Sequence, residues 1–155
     1  MALRCRLVLI LAMALAFPAC GDSVTTPTGQ RAVITVTVDP NPVPPSQSPL
    51  TGVVSVGYKV VITETNGGGG KVLFVSSQIF DPATGAQVAL SYFDSADLKV
   101  FVGSDTIEPG GTLTVPQTSS YILPDYSAAA QMTVNVQVQG EQGSLINQSV
   151  LVKIE

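Results

Sequence analysis

The chain has 155 residues, and its 7 Lys and Arg against 11 Asp and Glu give a formal net charge of −4. This acidic balance, without a basic patch, argues against nucleic acid or anionic lipid head groups as direct partners. The chain contains no His, which excludes Ser-His-Asp and Cys-His catalysis and His-ligated zinc or haem.

The N-terminal segment has the layout of a bacterial export signal. Arg4 and Arg6 precede an apolar run from Leu7 to Phe17, which is about 11 residues long and shorter than the ~20 residues of a membrane span. The run ends in Phe17-Pro18-Ala19-Cys20, which resembles the lipobox of bacterial lipoproteins. This resemblance implies that the chain is cut before Cys20 and that Cys20 and the new N-terminus carry acyl chains such as palmitate.

Processing at Cys20 divides the chain into three parts. Residues 1–19 are predicted to be the signal peptide, 20–31 the lipidated Cys and a flexible tether, and 32–155 one folded domain. In bacterial lipoproteins an Asp directly after the lipidated Cys resembles an inner-membrane retention signal. This chain has Gly21 at that position, so we expect the protein at the outer membrane or cell surface rather than at the inner membrane. The alternative is a secretory signal cut after Ala16, which would release a soluble protein with a free thiol at Cys20.

The domain is rich in alternating β-branched and apolar residues, which favour strands. Proline-containing Asp39 to Pro45 predicts an edge or crossover loop, and the glycine turn Asn66 to Gly70 predicts a hairpin. The Asp94–Asp97 segment predicts a polar break, and Ser119 to Ala128 an irregular segment. The predicted strands are Ala32–Val38, Val53–Thr65, Lys71–Phe80, Ala86–Phe93, Leu98–Val102, Thr112–Val115, Gln131–Val138 and Leu145–Ile154.

These strands and turns predict an all-β fold, an antiparallel β-sandwich of about 7–9 strands. The first strand with its Val-Thr-Val-Asp-Pro-Asn-Pro-Val sequence, the hairpin at the glycine turn and a final hairpin across Gly140 to Gly143 resemble bacterial immunoglobulin-like domains. The resemblance spans Ala32 to Glu155 and implies a fold rather than a function. No cysteine is left to form a disulfide, because Cys5 leaves with the signal and Cys20 carries lipid.

The sequence offers few candidates for ligand chemistry. Asp94, Asp97 and Asp105 are close in sequence and could share a Ca²⁺ ion, although no Ca²⁺-loop motif accompanies them. The absence of Trp and the small number of aromatic residues disfavour a sugar-stacking platform. Asn147-Gln148-Ser149 matches a glycosylation sequon inside a predicted strand, where we interpret it as a chance match.

We therefore expect a non-catalytic binding or structural module anchored in the cell envelope, without a cofactor or a metal. Its expected partners are the membrane, through Cys20, and another envelope protein or a polysaccharide. Loops at the ends of a sandwich carry most contacts, so the guessed binding residues are the loop Asn66, Gly67, Gly68, Gly69 and Gly70, with Pro116–Asp125 as a second loop. The alternative function is an envelope-held protease inhibitor, because Asp81-Pro-Ala-Thr-Gly85 resembles a loop of chagasin-type inhibitors.

Overall fold

The structure, a computed structural model, describes residues 29–125 and 127–155. The predicted signal peptide, Cys20 and most of the predicted tether lie outside the described residues. Within them, no helix has the length and apolarity needed to cross a membrane. The elements in chain order are β1 Ile34–Asp39, β2 Pro45–Gln47, β3 Val54–Glu64, β4 Gly70–Phe80, β5 Gln87–Asp94, α1 Ser95–Phe101, β6 Thr106–Ile107, β7 Thr112–Tyr121, β8 Ala130–Gly140 and β9 Leu145–Ile154.

The strands form two antiparallel sheets. In the first sheet β3 is central: β1 and β2 pair with different parts of one of its edges, and β7 pairs along the other. The second sheet has the order β5-β4-β8-β9, and the short strand β6 pairs with the start of β4. The predicted all-β class is confirmed, and the two packed sheets are consistent with an immunoglobulin-like sandwich.

The proline-rich segment between β1 and β2, which both belong to the first sheet, passes along the edge of the second sheet. Val43 forms a parallel bridge to Ile154, at the outer edge of β9. Its N–H donates to the carbonyl of Lys153 at 2.9 Å, and its carbonyl accepts from Glu155 at 3.2 Å. The segment therefore lies at a sheet edge, as the prolines predict, because proline cannot donate to a central ladder.

The predicted hairpin at the glycine turn is wrong. β3 belongs to the first sheet and β4 to the second, so the Asn66–Gly70 connection crosses between sheets. Both edges of β3 are already occupied, by β1 and β2 on one side and by β7 on the other. Alternation of side chains identifies a strand and its buried face, but it does not identify the neighbouring strand.

The predicted strand Leu98–Val102 is also wrong, because this segment forms the helix α1. Asp94 accepts from the N–H groups of Ala96 at 2.7 Å and Asp97 at 2.9 Å, and the Asp97 side chain accepts from the Asp94 N–H at 3.2 Å. This reciprocal capping box starts a helix. Seven residues with one buried side chain, Leu98, are too short to show a helical period.

The remaining strand predictions are confirmed with shifted ends. β7 continues from Thr112 to Tyr121, so Pro116 to Tyr121 are strand residues rather than part of a loop. β8 and β9 form the predicted final hairpin, with their ladder running from Ala130–Ile154 to Gln139–Leu145. The alternation of Met132, Val134, Val136 and Val138 into the core is also confirmed, since all four are buried.

The core lies between the sheets and consists mostly of β-branched side chains. Both sheets contribute residues that are fully inaccessible to solvent, and α1 adds Leu98. They include Val54, Val60, Ile62 and Val115 from the first sheet and Val72, Val75, Ile79, Met132, Val134 and Val138 from the second.

Polar side chains form a small buried cluster within this core. The hydroxyls of Tyr58 and Ser77 donate to Gln117 Oε1 at 2.9 and 2.7 Å, and Tyr58 Oη lies 3.3 Å from Ser119 Oγ. Burial raises the pKa of Tyr58 above its ordinary value, against the opposing effect of these hydroxyl contacts. A buried polar group needs a hydrogen-bond partner. The hydroxyls of Tyr58 and Ser77 find theirs on β7, so the cluster links β4 of the second sheet to β3 and β7 of the first.

Candidate functional site

Glu64, at the end of β3, is a buried carboxylate that accepts four backbone N–H groups. Oε1 accepts from Val33 at 3.1 Å and Asn66 at 2.8 Å, and Oε2 accepts from Gly67 and Gly110, both at 2.7 Å. The side chain is 1 % exposed. Glu64 therefore joins the segment before β1, the β3–β4 connection and the turn before β7.

The ionisation of Glu64 follows from these contacts. Burial opposes the charged form, but the N–H donors, led by Gly110 and followed by Asn66 and Val33, outweigh it. They lower the pKa of Glu64 from 4.5 to about 2. Because the Glu64 carboxylate stays ionised and both of its oxygens accept hydrogen bonds, it stabilises the fold rather than transferring protons.

Asp105 is a second buried carboxylate, in the loop before β6. Its Oδ2 accepts from Ser95 Oγ at 2.6 Å and lies 3.4 Å from Lys99 Nζ and 3.6 Å from Lys71 Nζ. Burial raises its pKa, but the Ser95 hydroxyl and the Lys99 charge outweigh burial, so the pKa of Asp105 is lowered. These contacts join α1 and β4 to this loop.

The three carboxylates considered as candidate Ca²⁺ ligands therefore do not share a site. Asp94 and Asp97 cap α1, whereas Asp105 faces two lysines. Across residues 29–125 and 127–155, no three His, Cys, Asp or Glu side chains lie close enough together to hold a metal ion.

The guessed glycine site is largely enclosed by the chain itself. Asn66 and Gly67 are exposed, whereas residues 68–70 are buried. A Cβ on Gly68 would lie 2.3 Å from both the carbonyl oxygen of Gln30 and the N of Ala32, so this position requires glycine. Asn66 Nδ2 also donates to the Arg31 carbonyl at 2.9 Å. Two of the five guessed residues are thus accessible to a ligand.

The Asp81–Gly85 turn, on which the protease-inhibitor hypothesis depends, joins β4 to β5. Asp81 is buried, and its carboxylate accepts from the N–H of Ala83 at 2.8 Å and from Thr84 Oγ1 at 2.7 Å. The N–H of Gly85 donates to the Asp81 carbonyl at 2.8 Å. These contacts account for the Asp and Gly of the turn without a ligand.

The outer surface of the second sheet presents a broad set of neutral polar side chains. Alternation along β5, β4, β8 and β9 turns every second side chain away from the core, and the register aligns them in rows. We call this surface the amide face. Its members are Leu90 and Tyr92 of β5; Phe74, Ser76, Gln78 and Phe80 of β4; Gln131, Thr133, Asn135 and Gln137 of β8; and Asn147, Ser149 and Leu151 of β9.

Hydrogen bonds between neighbouring strands orient the amides of this face. Gln137 Nε2 donates to Asn147 Oδ1 at 2.8 Å, and Ser149 Oγ donates to Asn135 Oδ1 at 2.8 Å. In both pairs the Asn carbonyl is the acceptor. The NH₂ groups of Asn135 and Asn147 thus have no hydrogen-bond partner among the described residues and can donate to a ligand.

An aromatic pair lies beside these amides. The rings of Phe74 and Tyr92 stack with their centroids 5.7 Å apart and an interplanar angle of 24°. Tyr92 is 55 % exposed. It shares a row across the sheet with Ser76, Asn135 and Ser149. The fold thus brings two aromatic rings together on this surface, although the sequence contains few aromatic residues.

Charged side chains are confined to the rim of the amide face. Lys71, Asp94 and Lys153 lie at or near the ends of β4, β5 and β9, where Asp94 is opposite Phe74 and Lys153 is opposite Gln131. At the Lys71 end, an open depression of about 370 Å³ is lined by Lys71, Gln139, Glu141 and neighbouring glycines.

The outer surface of the first sheet differs in chemistry. It carries short hydroxyl side chains in hydrogen-bonded rows: Thr63 Oγ1 lies 3.2 Å from Thr112 Oγ1, and Ser55 Oγ lies 3.1 Å from Ser120 Oγ. Lys59 also lies on this surface, which has no outward amide or aromatic side chain on β1, β3 or β7. Substitutions on the outer surface of the first sheet can therefore serve as controls for substitutions on the amide face.

Comparison with known proteins adds information about the fold. No protein-family model and no curated protein match the chain. A Northeast Structural Genomics Consortium target, SoR45, has a TM-score of 0.59 at 15 % identity, over 78 % of this chain and 84 % of its own. A Bordetella pertussis protein provisionally assigned as ApaA has a TM-score of 0.59 at 16 % identity, over 81 % of this chain and 97 % of its own.

A third solved structure is more distant. The collagen-binding subdomain of the Enterococcus faecalis surface protein ACE matches with a TM-score of 0.29 at 11 % identity, over 73 % of this chain and 94 % of its own. At these identities the two better matches support the all-β fold and say nothing of the ligand.

Proposed function

We propose that this chain is a lipid-anchored, non-catalytic binding module of the bacterial cell envelope. The amide face is the observation that carries the binding function. It is a surface of four hydrogen-bonded strands with an exposed ring and unengaged amide donors, and its interior has no charge. Side chains mounted on strands are held in place more precisely than side chains on loops, which suits recognition.

The arrangement of the carboxylates supports a non-catalytic role. Glu64 accepts backbone N–H groups, Asp105 faces lysines, Asp81 holds its own turn and Asp94 caps α1. Catalytic acids and bases need access to a substrate and a pKa near the working pH. Among the described residues, the carboxylates with a shifted pKa are Glu64, Asp105 and Asp125, and in all three the pKa is lowered, which favours the charged form.

The sequence around Cys20 supports the anchor. Gly29, the first described residue, is nine positions after Cys20, so the chain between them spans at most about 30 Å. Gly29 accepts a hydrogen bond from Gln142 in the β8–β9 turn. Under this proposal the tether leaves the domain at the end of the amide face that carries this turn, so the membrane is within reach of that face.

The anchor is tested by the intact mass of the N-terminal peptide from the membrane fraction, measured beside a Cys20→Ser variant. We expect a lipid mass on Cys20 that is absent from the variant. An unmodified N-terminus at Phe17 would contradict the anchor and leave a secreted protein.

The binding function is tested with a photo-crosslinking amino acid placed at Ser149 on the amide face, or at Thr118 on the opposite surface as the matched control. We expect adducts in intact cells from position 149 and none from position 118. Equal labelling from both positions, or no adduct at position 149, would contradict a binding role for this face.

A further inference from the structure

We infer that the amide face binds a neutral polysaccharide, an inference that rests on the proposed binding function and names the class of its ligand. The ligand chemistry follows from three features of the face: its lack of charge, its paired amides and its stacked aromatic rings.

The charge distribution selects a neutral ligand. The charged side chains lie at the strand ends, with Asp94 at the end of the row that holds Gln137 and Asn147 and Lys153 beside Gln131, so the centre of the face has no charge. A polyanion or polycation laid across this surface would lose hydration without gaining an opposite charge. A neutral polymer avoids this cost, and it also avoids repulsion from the acidic chain as a whole.

The polar side chains match sugar hydroxyls, which both donate and accept hydrogen bonds. Amide side chains do the same, with a carbonyl acceptor and two N–H donors. Gln137–Asn147 and Asn135–Ser149 are already oriented by bonds of 2.8 Å, so less side-chain freedom is lost on binding. The free NH₂ groups of the two Asn residues then provide two donors on neighbouring strands.

The aromatic pair provides a surface for the apolar C–H face of a sugar ring. Tyr92 lies on the edge strand β5, in the same row as Ser76, Asn135 and Ser149. Four strands at ~4.8 Å spacing make this row on the order of 15 Å long, which exceeds a single ring. A glycan chain running across the strands would therefore stack on Tyr92 and then meet Asn135 and Ser149.

A protein partner fits the face less well. Protein interfaces depend on a contiguous apolar centre and on Trp, Tyr and Arg anchors. Here the apolar and aromatic side chains Phe74, Phe80, Leu90 and Tyr92 lie on β4 and β5, at one side of the face, and Gln78 and Thr133 separate Leu90 from Leu151 on the opposite edge. The face has no Arg, and the chain has no Trp.

The test is native electrophoresis of the mature protein through gels that contain hydroxyethyl cellulose, dextran or galactomannan, which are neutral, or alginate, which is anionic. We expect retardation in at least one neutral gel and none in alginate. Tyr92→Ala and Asn147→Ala should each weaken the apparent affinity about tenfold. Thr118→Ala, on the opposite surface, should leave the apparent affinity unchanged.

Three results would overturn this inference: no retardation in any of the three neutral gels, retardation in alginate alone, or equal weakening by Thr118→Ala. The crosslinking experiment separates this failure from failure of the proposed function. A protein adduct of discrete mass from position 149 would keep the binding function but overturn the polysaccharide ligand, whereas a dispersed adduct that shrinks on glycosidase treatment supports both.

Discussion

At the scale of single residues, buried carboxylates stabilise connections that the β-sheets leave unpaired. Glu64 gathers the N–H groups of Val33, Asn66, Gly67 and Gly110, which come from three separate segments. Buried N–H groups without a partner cost stability. The carboxylate satisfies four at once, which explains why an acidic residue occupies the last inward-facing position of β3.

Glu64→Gln is expected to destabilise the protein, because it places an amide NH₂ against N–H donors. The folded-state pKa of about 2 lies below the ordinary 4.5, so the unfolded chain binds more protons between these values. The carboxylate therefore contributes stability above pH 4.5 that is lost as the pH falls toward 2. Urea unfolding should show a lower midpoint for E64Q at pH 7 and a weaker dependence on pH between 4.5 and 2.

Glu108→Gln is the control, because Glu108 is exposed and lies two residues from Gly110. The urea midpoint of E108Q at pH 7 should match that of the unchanged protein. If E64Q and the unchanged protein lost stability equally in acid, the Glu64 carboxylate would not stabilise the three segments as the structure indicates.

At the scale of elements, short local signals decide the connections. α1 follows β5 directly because the Asp94 side chain and the Asp97 side chain satisfy each other's backbone N–H groups. Leu98 then fills the core, while Ser95 and Lys99 contact Asp105. A helix of this length is marginal on its own, so it depends on its cap and on these tertiary contacts.

Asp94→Ala should destabilise the protein by about 1 kcal/mol, the typical cost of losing an N-cap side chain. Asp94→Asn should cost much less, because Asn caps helices about as well as Asp. Chemical denaturation of both variants beside the unchanged protein measures the difference. Equal losses from both would assign the effect to charge at this position rather than to the cap.

At the scale of the whole molecule, the sandwich depends on apolar packing between the sheets, because the described residues contain no cysteine. Side chains such as Ile62 of the first sheet and Ile79 of the second are fully inaccessible to solvent. The Tyr58–Gln117–Ser77 cluster adds polar contacts between the same sheets. This scaffold positions the four strands that carry the amide face.

Ile79→Ala should lower the free energy of unfolding by ~2–5 kcal/mol, through lost burial and the cavity left behind. Ile122→Ala is the matched control, since Ile122 is 50 % exposed, and surface substitutions usually stay within ~0.5 kcal/mol. Urea unfolding at pH 7 measures both. Similar losses for the two variants would mean that the core is not centred where the structure places it.

The candidate site was only partly predictable. Sequence alternation already turns Thr133, Asn135 and Gln137 outward, and an amide at nearly every outward position of β8 was a signal that could have indicated a binding strand. The sequence did not show which strands pair with β8. The contact between Phe74 and Tyr92, eighteen positions apart, exists because β4 pairs with β5 in one particular register.

The sequence by itself determined the all-β class, most of the strands, the inward face of each and the final hairpin, because period-two alternation and turn residues act over a few neighbouring positions. Tertiary structure decided that β3 and β4 belong to different sheets, that Asp105 faces lysines, and that the amides and rings share one surface. These outcomes depend on which strands pair and in what register, and pairing is set by competition among distant segments for the same edges and the same core.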